Sequence, residues 1–438
     1  MPSKHHSYFK FLDWDFNSQS YQLFLNYEIE SLGKVTEIIT FPPFNKKKNQ
    51  LLDDQINKAC ELIHLMCGVS YYKAGLAKKI LFEEKPSLAI REFIEKTWKH
   101  GLAELAYENN VSLALNMIDS EDYDFMHSDM SQHNTLVSSS VRPIKSLVAI
   151  GGGKDSLVTI EELKLRNHDM SLFMVGGSKL IKSVANFCQL PLIQVARKID
   201  SKLIGYNNTG QGFNGHVPIT AINSAIAVLT ALLFDFNQVV FSNERSADSA
   251  NTTNKEGVLV NHQYSKSYEF EQDLSDIIAD EIASDIKYFS QQRAYSELAI
   301  LKKFSQYPQF FPVFSSCNRN FHIDGSHNKN SLWCCDCPKC RFVFLGLAPF
   351  IKKQELMSIF QHNLLDDESQ RQGFEELLGI KGFKPFECVG EIQESQLAFN
   401  LIKDNDDWNK DALIVLFSEK VPETSQQQYN DIMQPKVL

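Results

Sequence analysis

Apolar and polar residues alternate from Phe9 to Val35, as in Tyr21-Gln22-Leu23-Phe24-Leu25-Asn26-Tyr27, and the period of two predicts antiparallel strands. Leu52, Ile56, Ala59, Cys60, Ile63 and Leu65 then recur at helical spacing, which predicts a helix from Leu51 to Met66 ending at Cys67-Gly68. A second helix is expected over Leu88–Tyr107. The pattern changes at Ser146-Leu147-Val148-Ala149-Ile150, a short apolar run of strand length. From there strands at 171–175, 192–196 and 238–241 alternate with helices at 157–166, 178–188 and 219–234. Such alternation implies an α/β fold, a mostly parallel, doubly wound sheet covered on both faces. Helical spacing returns at Lys353–His362 and Asp367–Leu378.

Three regions follow: an α+β part over 1–140, an α/β domain over 141–350, and a small helical part over 351–438. The stretch from Ile118 to Ser140, acidic and then serine-rich, reads as a linker, and Pro42-Pro43 with Lys46–Lys48 as a loop.

Of the 438 residues 43% are hydrophobic, enough for real cores, and the net charge of −10 argues against general binding to nucleic acid or to a membrane surface. No apolar run approaches a membrane span, and the start carries no secretory pattern, so a cytoplasmic location is expected. The nine cysteines are odd in number and four crowd into 334–340, which points to metal in a reducing compartment. Cys334, Cys337 and Cys340 form a Cys-x-x-Cys-x-x-Cys array, with Cys317 before it. Four soft ligands suit structural zinc, with Cys335 spare, His322 or His327 as substitutes for Cys317, and an iron–sulfur cluster as the alternative.

The chemistry concentrates at the first strand's exit, Gly151-Gly152-Gly153-Lys154-Asp155-Ser156. Glycines can aim successive N–H groups at one point, and the following helix start favours an anion. A Walker loop is excluded because Asp155 follows Lys154, and the dinucleotide fingerprint because Ser156 stands where glycine is needed. In open parallel sheets ligands lie beyond the carboxyl ends of the strands. The exits at 151–156, at 175–178 after Val175, and at 242–248 should therefore converge. The last of these holds Asn243, Glu244, Arg245 and Asp248, suited to phosphate and magnesium. Lys266, in Asn261-His262-Gln263-Tyr264-Ser265-Lys266-Ser267, can stabilise charge; His216 suits a structural role as well as a ligand's. Cys388 stands among Lys384, Glu387 and Glu391, and suits either proton transfer or a buried thiol. Tyr71, Tyr72 and Lys73, between glycines, suit a ligand cleft or a packed loop.

The glycine loop resembles the pyrophosphate loop of the ATP-pyrophosphatase (PP-loop, HUP-like) superfamily, usually Ser-Gly-Gly-x-Asp-Ser, with Gly151 in place of the first serine. The segments at 68–73, 151–156, 243–248, 262–267, 335–340 and 384–391 together resemble the bacterial UDP-N-acetyl-α-D-muramoyl-L-alanyl-L-glutamate epimerase family. That resemblance implies ATP and magnesium as co-reactants, a UDP-muramoyl dipeptide as substrate, an adenylated carboxylate, and release of AMP and pyrophosphate. With that chemistry in mind, Gly151–Ser156, Val175, Asn243, Glu244, Arg245 and Asp248 are the candidates for ATP, Lys266 for charge stabilisation and Cys388 for catalysis. Competing readings are an amide- or nitrile-forming adenylating ligase, a tRNA thiolase, or an ATP-binding regulator without turnover. Nothing in the sequence bears on oligomeric state.

Overall fold

The alternating N-terminal stretch folds into β1 (Tyr8–Asn17), β2 (Gln22–Ile29) and β3 (Gly33–Thr40), an antiparallel meander that buries Phe9, Phe11, Leu23, Leu25 and Tyr27. The structure, a computed structural model, describes residues 5–44, 50–113, 115–118, 142–254, 257, 259–321, 332–382 and 384–437. Nearly all of the expected linker, Lys46–Lys48, His322 and His327 lie outside them.

The first helix runs from Gln50 to Tyr72, past its expected stop at Gly68. A Cβ on Gly68 would lie 2.6 Å from the Phe11 ring and 3.2 Å from Trp98. This glycine lets helix and sheet touch; it does not end the helix. The turn after it is packed rather than open. Tyr71 and Tyr72 are buried, and the Lys73 ammonium donates to Asn214 Oδ1 at 2.9 Å. β4 (Lys79–Phe82), which periodicity did not reveal, pairs in parallel with β1. The helix expected over 88–107 is two, Leu88–Gly101 and Ala103–Asn109.

The α/β half follows the expected alternation. Its strands are β5 (Ser146–Ala149), β6 (Met170–Val175), β7 (Leu192–Lys198) and β8 (Gln238–Phe241). A short ladder of β9 (Thr252–Thr253) and β10 (Leu259–Val260) and an unanticipated strand, β11 (Lys287–Ser290), complete the set. Among the described residues the main sheet has nine strands, in the order β11-β8-β5-β6-β7-β3-β2-β1-β4. It is mostly parallel: five ladders run parallel and three antiparallel. The N-terminal strands do not form a sheet of their own, because β3 pairs antiparallel with β7.

Alternate strand residues enter opposite cores. Leu147, Phe173, Val195 and Val239 pack with the helices Gln50–Tyr72 and Ile219–Phe234. Val148, Leu172, Met174 and Val240 pack with Lys154–Leu165, Glu297–Phe304 and the C-terminal helices. Those C-terminal helices include Pro338–Leu347, Arg371–Leu377 and Ile392–Asn400, so the helical tail closes the second face. The chain steps from β5 to β6 to β7, then returns to the far side of β5 as β8. That reversal opens a crevice between the exits of β5 and β8.

The β3–β7 seam is secured by charge. Arg197 donates to Glu37 at 2.6 and 3.3 Å and to Ser70 Oγ at 2.8 Å, with Glu37 wholly buried. Arg197→Leu strands that carboxylate, and unfolding free energy should fall by about 3–5 kcal/mol in urea titrations. The double variant with Glu37→Leu should recover most of the loss.

Candidate active site

At the exit of β5 the three glycines have different reasons to be there. Gly152 sits at φ +81°, where a side chain is strained. Gly153 is extended, but an added Cβ would lie 2.7 Å from Ser316 Oγ. Gly151 has nothing within 4 Å of an added Cβ, so a hydroxyl-bearing residue would fit there. No side chain caps the helix Lys154–Leu165 at Gly153, and uncapped first-turn N–H groups suit an anion. Ser156 Oγ donates to the Gly153 carbonyl at 3.1 Å.

Lys154 points inward. It is 1% exposed, lies 2.5 Å from Asp155 Oδ1, and contacts Glu297. Burial disfavours the ammonium, but Asp155 and Glu297 outweigh it and hold the proton more tightly than usual. Glu297 begins the helix after β11, so an unanticipated strand delivers an unanticipated carboxylate. At the exit of β8, Asn243 and Glu244 are buried, and Glu244 Oε1 has no hydrogen-bond partner among the described residues. Such an orphaned carboxylate oxygen suits a cation or a substrate donor. Val175 closes β6 and is followed by Gly176 at φ +91°.

Arg245 and Asp248 have other partners. The Arg245 guanidinium donates to the carbonyls of Ala294, Asp431, Ile432 and Gln434, clamping the last helix rather than facing phosphate. Asp248 accepts from the Tyr268 N–H at 2.6 Å, at the head of the helix Tyr268–Ile277. Their contiguity with Glu244 in sequence suggested one task, but the 3₁₀ turn Arg245–Asp248 aims them apart.

Lys266 and Cys388, 122 positions apart, meet with Nζ 3.1 Å from Sγ. Burial pushes the thiol up, yet the neighbouring Lys266 and His262 bring it down to about 5. The carboxylates of Glu244 and Glu297 act on both Lys154 and Lys266, so the thiol and the glycine loop share one field. Glu104 and His262 were missed; His262 lay inside a polar segment that drew notice only through Lys266, and Glu104 had no local signal.

The four cysteines converge. Sγ separations are 3.5 Å for Cys337–Cys340, 3.7 Å for Cys334–Cys340 and 4.0 Å for Cys317–Cys337, and all four lie within 4.8 Å of one another. A tetrahedral ion with bonds near 2.3 Å places its sulfurs about 3.8 Å apart, so the residues fit zinc. Cys335 turns away and donates to the Phe360 carbonyl at 3.3 Å. The knuckle is joined to the glycine loop. The Ser315 N–H donates to the Gly152 carbonyl at 3.1 Å, and the Cys317 N–H to Ser315 Oγ at 3.1 Å.

The MurL N-terminal domain model matches residues 2–291 and the MurL C-terminal domain model residues 313–432. A protein of Xanthomonas oryzae pv. oryzae is 38% identical over 417 residues, covering 94% of this chain and 89% of its own. One of a Micromonospora species is 37% identical, covering 90% and 85%. One of Salinispora tropica is 34% identical, covering 95% and 89%. All three are named UDP-N-acetyl-alpha-D-muramoyl-L-alanyl-L-glutamate epimerase. Among the described residues no helix is long and apolar enough to cross a membrane.

The glycines should separate on substitution. Gly152→Ala should cost about 1–2 kcal/mol from its positive φ, whereas Gly151→Ala should leave the calorimetric melting temperature unchanged.

Proposed function

The chain belongs to the MurL family, and from that premise we propose that it inverts the terminal L-glutamate of UDP-N-acetylmuramoyl-L-alanyl-L-glutamate during peptidoglycan synthesis. It is then an isomerase that consumes ATP. The observation that carries the mechanism is the Lys266–Cys388 contact, set in the same carboxylate field as the glycine loop.

Removing a proton beside a carboxylate piles a second negative charge next to the first. Transfer of AMP to that carboxylate removes the obstacle. A carboxylate oxygen attacks the α-phosphorus of ATP and pyrophosphate leaves. The α-proton, now beside an electron-withdrawing acyl group, can be removed and a proton returned to the opposite face. Water then cleaves the acyl–phosphate bond, giving AMP and the D-glutamyl product.

Residues divide among these steps. Backbone N–H groups of Gly151–Ser156 receive the departing diphosphate. Asp155 and Glu244 would hold magnesium, which would neutralise phosphate charge. Cys388 serves proton transfer, and Lys266, with Nζ only 3.1 Å from its Sγ, is too close to it to serve the opposite face. Lys266 is therefore assigned to charge stabilisation, not to the opposite-face proton. Cys317, Cys334, Cys337 and Cys340 would hold structural zinc, a closed set that keeps Ser315 and Ser316 against the glycine loop.

Incubation with ATP, magnesium and the muramoyl dipeptide in heavy water tests the reading. AMP and pyrophosphate should form, and chiral analysis should find D-glutamate bearing deuterium at its α-carbon. ADP and phosphate, or inversion without deuterium, would sink it. Asp155→Ala should reduce pyrophosphate release by at least about 100-fold. Elemental analysis should find one zinc per chain, and Cys337→Ser should lose it together with thermal stability.

A further inference from the structure

We infer that Glu104 and His262 act as positioning residues for Cys388, whose Sγ takes the α-proton of the activated glutamyl group, the three forming an acid–imidazole–thiol relay. The inference deepens the epimerase reading above and rests on it for the substrate.

The three members come from distant parts of the chain. Glu104 lies in the helix Ala103–Asn109 and is 7% exposed. His262 follows β10, and its Nδ1 contacts the Glu104 carboxylate. Its charge also acts on the Cys388 thiol. One side chain sets the register. Asn251 Oδ1 accepts from the His262 N–H at 3.1 Å, while Asn251 Nδ2 donates to the Pro385 carbonyl at 3.0 Å. The histidine loop and the cysteine loop are thus tied through Asn251. On the thiol's other side stands Lys266 Nζ at 3.1 Å.

An acid that orients an imidazole, which in turn bonds a nucleophile or base, is a recurring catalytic arrangement. Charges around it favour thiolate and imidazolium together. Lys266, His262 and Lys339 face the thiol with positive charge. Glu104 faces His262 directly, with Glu108 and Glu387 further off. Burial lowers His262, but Cys388 and Glu104 outweigh it and raise it to about 9. His216, whose ring centroid lies 4.3 Å from that of His262, is pushed down to about 4 by burial and then by the His262 charge. The positive charge therefore rests on His262. Ordinary buried thiols in this chain behave oppositely: burial pushes Cys188 up to about 11.

In the step itself the thiolate lone pair forms an S–H bond as the Cα–H bond breaks. The electron pair of that bond moves into the acyl-adenylate carbonyl, beside Lys266. A solvent-derived proton then reaches the opposite face of the planar carbon.

The wild-type enzyme without ATP or dipeptide supplies the first test. Carbamidomethylation of Cys388 by iodoacetamide, followed by peptide mass spectrometry across pH, should show a midpoint near 5. Glu104→Gln and His262→Gln should each move it up by at least about one pH unit. A wild-type midpoint near that of a free thiol would overturn the relay. The second test separates proton transfer from activation. Cys388→Ala and Cys388→Ser should still release pyrophosphate with dipeptide present, yet lose α-deuterium incorporation by at least about 100-fold. Incorporation at the wild-type rate in either variant would overturn it. If wild-type enzyme released no pyrophosphate, the epimerase reading would fail instead, and the iodoacetamide profile would still decide whether the relay exists. In the wild-type enzyme kcat/KM should rise as Cys388 ionises near pH 5 and fall as His262 deprotonates near pH 9.

Discussion

A buried ammonium must find its counter-charge, and here that requirement ties the molecule together. Lys154, at the first turn after the glycine loop, is satisfied by Asp155 and by Glu297. Glu297 is held in turn: its N–H donates to Ser246 Oγ, and Ser246 donates to Glu394 at 2.5 Å. Glu394 also accepts from the N–H groups of Leu298 at 2.6 Å and Glu391 at 2.9 Å. Burial raises this carboxyl to about 7, and its three donors keep it usable as a junction. A single chain of contacts thus runs from the glycine loop through the exit of β8 to the C-terminal helix Ile392–Asn400.

The helical tail is therefore part of the site rather than an appendage. The same tail presents Cys388 three residues before Glu391, and Arg245 fastens its last helix. The cysteine knuckle enters by a separate route, through Ser315 and Ser316 pressed on Gly152 and Gly153. Two independent attachments fix the loop from opposite ends. That rigidity suits the proposed receipt of a leaving diphosphate without reorganisation.

The N-terminal strands contribute to the same centre indirectly. They extend the main sheet through the Glu37–Arg197 seam, and the helices that follow them carry Glu104 to His262. All three stretches of the chain meet at one crevice, whose position is set by the reversal of strand order between β5 and β8.

Local chemistry was legible without coordinates. The glycine loop, the Cys-x-x-Cys-x-x-Cys array, the βα alternation and the helix Ile219–Phe234 are short-range patterns, and each is where the pattern placed it. Lys266 and Cys388 were each singled out, but their contact spans 122 positions and no local rule joins them. Gly68 read as a helix stop because close packing against Phe11 leaves no mark in the residue itself. Arg245 read as a phosphate ligand because charge type is visible in sequence while direction is not. Sequence by itself determined which residues can carry charge, thiolate and tight turns, since those are properties of side chains and of a few neighbouring dihedrals. Only the tertiary structure decided which of them share a desolvated space, because burial and long-range pairing set a thiol's or an acid's ionisation, and both arise from elements distant along the chain.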